Sequence, residues 1–174
     1  MKKHALNGEL MTERDIQLYL FEHCNGAGYY MTVPNARFYL GESDILAIRP
    51  SLRVESYEIK VSRSDFRADF AKTDWHRKLG KARDDTSAVP SVPNRFYYVA
   101  PESVIPRDEV PEYAGLIEVM RPYFLRTVIQ APLLHKKKLN EKQINALIRT
   151  MAYRYWSREA HYNRKVNNEK RNIS

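Results

Sequence analysis

Cysteine is almost missing from this sequence: Cys24 stands alone among 174 residues. A single thiol excludes an internal disulfide framework and a cysteine-rich zinc site. Cys24 reads as a small residue near a helix end, and His23 beside it points elsewhere, so the two make no nucleophile pair. Glycine numbers only six, and none belongs to a phosphate-cradling loop, so no nucleotide cofactor is expected. The five histidines, at 4, 23, 76, 135 and 161, are too scattered for metal-ligand spacing. Long apolar runs are absent too, and the longest falls far short of the roughly 20 residues that span a bilayer. Met1-Lys2-Lys3-His4 leads into no apolar stretch of the kind a secretory signal carries. The expectation is a cytoplasmic chain with no membrane association.

Basic charge, by contrast, is plentiful and unevenly placed. The formal net charge is +8. Residues 136–174 hold eleven Lys and Arg against three Asp and Glu, whereas residues 1–135 balance at eighteen of each. The block opens with Lys136, Lys137 and Lys138. It reads either as a sequence-independent phosphate-binding arm or as a solvated tail.

Along the chain, residues 1–10 are expected to be flexible. Thr12 is a helix N-cap, followed by Glu13 and Asp15 in the first turn, and Ile16, Tyr19, Leu20 and His23 share a face. Asn25-Gly26-Ala27-Gly28 stops that helix. Strands are predicted over Tyr29–Val33 (closed by Pro34-Asn35, with Arg37–Leu40 a continuation after a turn), Ser43–Ile48 and Ser56–Ser62. The Pro50-Ser51 break makes the last two a hairpin. A helix opens at Ser64-Asp65 and runs to about Arg83, with Thr73-Asp74 a point of interruption. A loop covers Asp84–Pro93. Arg95–Ala100 and Gly115–Val119 are later strands. From residue 121 the chain is expected to leave this core, residues 1–120, as a basic helical extension, residues 121–174. Asn140 and Gln143 form a capping box there, and Ile144, Leu147, Ile148, Met151, Ala152 and Tyr155 make a helical stripe. The tail beyond Ala160 is expected to fray.

Two short segments concentrate chemistry. In Ser56–Ser62 the strand period of two sends Glu58, Lys60 and Ser62 to one side and Tyr57, Ile59 and Val61 to the other, apolar side. In the preceding strand Asp44 opens the run Ile45–Ile48, and the hairpin brings Asp44 toward Glu58. Adjacent carboxylates repel unless a cation lies between them. Mg²⁺ takes oxygen ligands, one or two of them protein carboxylates, and Mn²⁺ can replace it. A bound divalent ion polarises a phosphate and acidifies water. Lys60 alongside can orient that water or offset charge on the phosphorane.

Asp44 with Glu58-Ile59-Lys60 resembles the PD-(D/E)XK nuclease superfamily. The longer segment Glu58–Asp69, Glu-Ile-Lys-Val-Ser-Arg-Ser-Asp-Phe-Arg-Ala-Asp, is similar to that of the MmcB-like DNA-repair proteins, as are Arg95-Phe96-Tyr97-Tyr98-Val99 and Gly115–Val119. The resemblance implies a restriction-endonuclease-like α/β core of order αβββαβ, a mixed sheet flanked by helices, spanning roughly residues 12–120. It implies Asp44, Glu58 and the Ile59 carbonyl as metal ligands and Lys60 as the catalytic lysine. Glu13 sits where some members carry a further catalytic glutamate, with Glu22 the second choice; Glu13 is equally a dipole-favouring first-turn carboxylate. Ser43 replaces the motif's proline. Asp65 reads as a first-turn carboxylate.

Ser62, Arg63, Lys72, Arg77, Lys78 and Lys136–Lys138 are the expected nucleic-acid contacts. Trp75 either stacks on a base or fills the core. The expected activity is Mg²⁺-dependent DNA endonuclease cleavage, with a homodimer suited to cutting both strands. The alternatives are a silent nucleic-acid-binding module on the same scaffold and a protein-interaction factor working through its C-terminal helix.

Overall fold

A computed structural model of the chain describes residues 4–6, 9–39, 41–82, 91–120 and 124–171. It divides into two compact units, Met1–Lys138 and Leu139–Ser174.

The first unit is an α/β sheet protein. Helix α1 (Glu13–Gly26) is followed by strands β3 (Met31–Ala36), β4 (Ser43–Ile48) and β5 (Val54–Ile59). Helices α2 (Arg63–Asp69) and α3 (Thr73–Gly80) come next, then β6 (Arg95–Pro101), β7 (Ala114–Met120) and β8 (Phe124–Ile129). These six strands form one mixed sheet in sequential order, β3-β4-β5-β6-β7-β8. The β3–β4, β4–β5 and β7–β8 pairs are antiparallel, while β5–β6 and β6–β7 are parallel. A parallel pair needs a crossover, and α2 and α3 occupy the connection from β5 to β6.

Local chemistry explains the main elements. The Thr12 side chain accepts from the Asp15 amide while Asp15 returns a bond to the Thr12 amide, a reciprocal cap for α1. Ile16, Leu20 and Cys24 are the buried face of α1, whereas His23 is exposed, so the apolar stripe ends on the thiol rather than the imidazole. The β4–β5 hairpin turns through Pro50, Ser51 and Leu52, closed by Arg49 N donating to Arg53 O (2.9 Å). Leu52 adopts φ 62°, the left-handed position of a three-residue hairpin loop. Each face of the sheet carries a core. Ile45, Ala47, Tyr57, Ile59, Tyr97 and Val99 meet α1 on one side. Phe66, Trp75, Leu79, Phe96, Tyr98 and Leu116 pack on the other. Trp75 is therefore a core residue, edge-on to Phe96 at 6.1 Å.

Several expectations need correction. Residues 1–10 were expected to be flexible, but β1 (His4–Leu6) pairs antiparallel with β2 (Glu9–Met11). Strand β3 continues through Pro34 and Asn35 instead of stopping there. It is a sheet edge, where a missing amide does no harm, and Asn35 absorbs the irregularity with φ 47°. Residues 37–39 are irregular and do not extend it. The sheet does not end near residue 120, because β8 pairs with β7 and the first unit runs on to Lys138. Most of the loop predicted over Asp84–Pro93 lies outside the described residues.

The second unit contains helix α4 (Glu141–Arg171), capped by reciprocal bonds between Asn140 and Gln143. The helix continues past Ala160 to Arg171, where fraying was expected. Within its predicted stripe Leu147 is buried, but Ile148 and Tyr155 are exposed. No helix among the described residues is long and apolar enough to cross a membrane.

Candidate active site

Asp44 is the second residue of β4, Glu58 the penultimate residue of β5, and Lys60 lies just beyond that strand. The hairpin register pairs Ile45 with Tyr57, which carries Asp44 to the level of Glu58. Asp44 Oδ2 accepts from the Ile59 amide at 2.6 Å. Lys60 Nζ donates to Glu58 Oε1 at 3.0 Å. All three side chains therefore converge at one end of the sheet, as the strand alternation requires.

Glu13 opens α1, which packs on β3, β4 and β5. Its charge reaches Asp44 and pushes that carboxyl's pKa upward. Glu22 lies nine residues further along the helix, roughly 13 Å away in rise. Buried Gln17 fixes the helix to this point: its Nε2 donates to the Asp44 carbonyl (2.8 Å) and to Asn35 Oδ1 (2.6 Å).

The largest departure from the sequence reading is Asp69. It is buried at the end of α2 and gathers a network. Lys60 Nζ and Lys72 Nζ approach Asp69 Oδ1 at 3.1 and 2.7 Å. The Tyr98 hydroxyl donates to Oδ2 at 3.1 Å. His76 Nε2 lies 3.0 Å from the Asp69 carbonyl and 3.3 Å from Oδ2, with its Nδ1 2.7 Å from the Tyr113 hydroxyl. A hydrogen on Nε2 directed at Asp69, with Nδ1 accepting from the Tyr113 hydroxyl, satisfies both contacts. Lys72 also donates to Glu58 Oε1 at 2.8 Å. Asp69 stood in the segment Glu58–Asp69, but only the tertiary fold reveals its partners.

The charges sort into two halves. Burial disfavours ionisation of Asp69, but hydrogen bonds from His76 and Lys72 and the charges of Lys60 and Lys72 outweigh it and hold its pKa far below the usual carboxylate range. Burial disfavours the ammonium of Lys60, yet Glu58 and Asp69 more than compensate, so Lys60 stays protonated. Among the described residues Asp44 forms no salt bridge, in contrast to Asp69 and Glu58. Burial and the charges of Glu58 and Glu13 push its pKa up to about 7, against the Ile59 amide and Lys60, which lower it. Two lysines thus serve three clustered carboxylates, and the surplus negative charge falls on Asp44.

That surplus suits a hard divalent cation. Among the described residues no three His, Cys, Asp or Glu side chains group as a metal cage. Mg²⁺ does not need one, because it keeps several waters and takes one or two carboxylates. Asp44 and Glu58 are the donors of that kind.

The expected nucleic-acid contacts divide. Ser62 is buried and caps α2, accepting from the Asp65 amide at 3.1 Å, so its hydroxyl serves the helix. Asp65 Oδ2 accepts from the Val61 amide, a first-turn role. Lys72 is committed to Glu58 and Asp69 within the site. Arg63 pairs with Glu109 and Arg77 with Asp74 (2.7 Å); both arginines are exposed, as is Lys78. Lys136 and Lys138 are exposed on the irregular segment after β8, and Lys137 between them is half-buried.

No family model and no curated protein sequence matches the chain. Among solved structures it is similar to the SPO1766 protein of unknown function from Silicibacter pomeroyi. The two share 22% identity over 80% of this chain and 82% of that one, with a TM-score of 0.54. At that identity the likeness is one of fold: a mixed sheet flanked by helices.

Proposed function

We propose that this chain is a divalent-metal-dependent endonuclease that hydrolyses phosphodiester bonds in DNA, in repair or processing. The observation that carries the reading is the unbalanced carboxylate pair, Asp44 beside Glu58, with a protonated lysine against it. Asp44, Glu58 and the Ile59 carbonyl would hold Mg²⁺ or Mn²⁺. When bound, such an ion polarises the scissile phosphate and lowers the pKa of an attacking water. Lys60 cannot take a proton from that water, because its ammonium is kept charged by Glu58 and Asp69. It donates N–H bonds instead to the phosphoryl oxygen that gains charge. Asp69, Tyr98 and His76 position Lys60 and do not touch substrate. Glu13, at the exposed start of α1, accepts a hydrogen bond from the incoming water. Arg63, Arg77, Lys78, Lys136 and Lys138 contribute sequence-independent attraction for the backbone.

The rival is a nucleic-acid-binding module without turnover, and it draws on Glu58 Oε1 already accepting from two lysines. A panel of end-labelled duplex, flap, junction and single-stranded DNA, incubated with Mg²⁺ or Mn²⁺, separates the two. The expected result is cleavage that stops on chelation and in Asp44→Ala, and that slows about 10²–10³-fold in Lys60→Ala, with circular dichroism unchanged. Tight binding of every substrate with no cutting would establish the module instead.

A further inference from the structure

A second polar site lies at the opposite end of the sheet. Arg49 follows the end of β4, Arg53 and Glu55 flank the start of β5, and Arg95 begins β6. With Ser51 and Gln130 they line a cavity of about 240 Å³. Asp44 and Arg49 are five strand positions apart, so this cavity is on the order of 15 Å from the carboxylate cluster.

Its charge balance is the reverse of the first site. Three guanidinium groups share one cavity with a single carboxylate. Glu55 is already taken by Arg49 Nε at 2.7 Å and by the hydroxyls of Tyr29 (2.5 Å) and Tyr57 (2.8 Å). Arg49 also lies over the Tyr29 ring, 4.7 Å from its centroid, and donates to the Tyr29 hydroxyl. Arg49 and Glu55 thus neutralise each other, leaving Arg53 and Arg95 as a surplus of two positive charges. Arg95 spends one nitrogen on the Ala131 carbonyl. Arg53 Nε is buried without a hydrogen-bond partner among the described residues, and a buried N–H donor in that position is rare in native proteins. The hairpin loop that carries Ser51 is held in shape by the left-handed Leu52, so the rim is built at some conformational cost.

Arginines that line one cavity with a positive surplus favour an anion there. Arginine's planar fork matches the oxygens of phosphate, and a surplus of two charges matches a dianion better than a carboxylate. The cavity is smaller than the roughly 300–1,000 Å³ of drug-sized sites, which favours a phosphate group with little attached to it inside the pocket. We propose that this cavity is a phosphomonoester-binding site, distinct from the carboxylate cluster, in which Arg53 and Arg95 bind the phosphate and Arg49–Glu55 forms its fixed wall.

The phosphate can come from a 5′-phosphorylated nucleic-acid end or from a free small phosphate. Titration of the full chain in chelator, with no cleavage to complicate the readout, distinguishes them. The ligands are inorganic phosphate, a nucleoside monophosphate, and one oligonucleotide with either a 5′-phosphate or a 5′-hydroxyl. A DNA-end site gives at least about tenfold tighter binding of the phosphorylated oligonucleotide, a preference worth about 1.4 kcal/mol, abolished in Arg53→Gln and in Arg95→Gln. A free-phosphate site gives equal binding of both oligonucleotides, with inorganic phosphate or the monophosphate bound in an Arg53- and Arg95-dependent way. The proposal is overturned if no phosphate species shows Arg-dependent binding tighter than about 1 mM, or if both folded arginine variants bind like the parent. Because metal is absent throughout, these outcomes are independent of whether Asp44 and Glu58 support hydrolysis.

Discussion

Asp44 and Asp69 are the same residue type in one cluster, yet their surroundings drive them in opposite directions. Asp69 has two ammonium groups, a hydroxyl and an imidazole around it, and its pKa falls. Its ionised form therefore contributes stability above the unfolded carboxylate value near 4, and that contribution is lost only as pH drops below it. Removing one member of a buried charged network leaves the others unpaired. Asp69→Ala should cost about 3–5 kcal/mol in urea unfolding at pH 7, and a cost below about 1 kcal/mol would show that the network is not buried in solution. Asp44 behaves in the reverse sense. Its folded pKa of about 7 lies above the ordinary value of 3.8, so the folded chain holds that proton more tightly than the unfolded chain. In chelator its contribution is most favourable below pH 4, declines as pH rises toward 7 and levels off above. Asp44→Asn keeps an acceptor for the Ile59 amide and removes the charge. It should be more stable than the parent by about 1–3 kcal/mol above pH 7 and indistinguishable near pH 4. Added Mg²⁺ should raise the melting temperature of the parent but not of Asp44→Asn. A variant less stable than the parent at pH 8 would remove the charge-surplus argument.

At the scale of elements, the strongest packing constraint sits between β6 and β7. Gly115 is the partner of Tyr97 in the parallel ladder, and a Cβ there would lie 2.5 Å from the Tyr97 ring and 2.6 Å from the Ala131 backbone nitrogen. Neither neighbour can yield freely, since Tyr97 stacks on Tyr57 at 5.6 Å and Ala131 is buried. Gly115→Ala should destabilise by about 1–3 kcal/mol or more, read as a lower urea midpoint with an unchanged slope. Parent-like stability would mean that the sheet accommodates the methyl group by a local shift. Gly115 also shows where the sequence was opaque. It could be placed on a strand, but what approaches it is set by residues 18 and 16 positions away. Most strands and helices of the Glu13–Val119 region were legible in kind, though not in their bounds, because period-two alternation and helix caps are local signals; the strand expected over Ser56–Ser62 is Val54–Ile59, and Lys60 just beyond it still shares the side of Glu58. The convergence of Asp44 followed from the hairpin signal at Pro50-Ser51. Strand β8 was not legible: as an edge strand it is half-exposed or exposed, and Arg126-Thr127 interrupts the alternation between Leu125, which packs on one core, and Val128 and Ile129, which pack on the other. Asp69 and Gln17 were missed as structural hubs because their partners lie across the fold, although a lone Gln within the apolar spacing of Ile16 and Leu20 is a signal of a buried amide.

Across the whole molecule, basic charge is not confined to a tail. Lys136, Lys137 and Lys138 belong to the first unit, on the irregular segment after β8, while the rest of the basic block belongs to the second. Asn94 anchors that segment: its Nδ2 donates to the carbonyls of His135 and Lys137 at 2.8 Å each, and its Oδ1 accepts from the Val54 amide at 2.7 Å. Lys136 and Lys138 are exposed on either side of half-buried Lys137, and anchoring the carbonyl between them holds the backbone of both on the sheet domain. Two lysines on an anchored backbone neutralise phosphates at lower entropic cost than two on a mobile tail. If DNA is the ligand, Lys136→Gln with Lys138→Gln should flatten the slope of log Kd against log salt by roughly 1.8, about 0.9 for each lost phosphate contact, with no change in the order of preference among DNA structures. Removing charges that touch no phosphate leaves the slope where it was, so an unchanged slope would exclude this segment from the interface and confine any DNA contact to the remaining basic groups, principally those of Arg63, Arg77, Lys78 and α4.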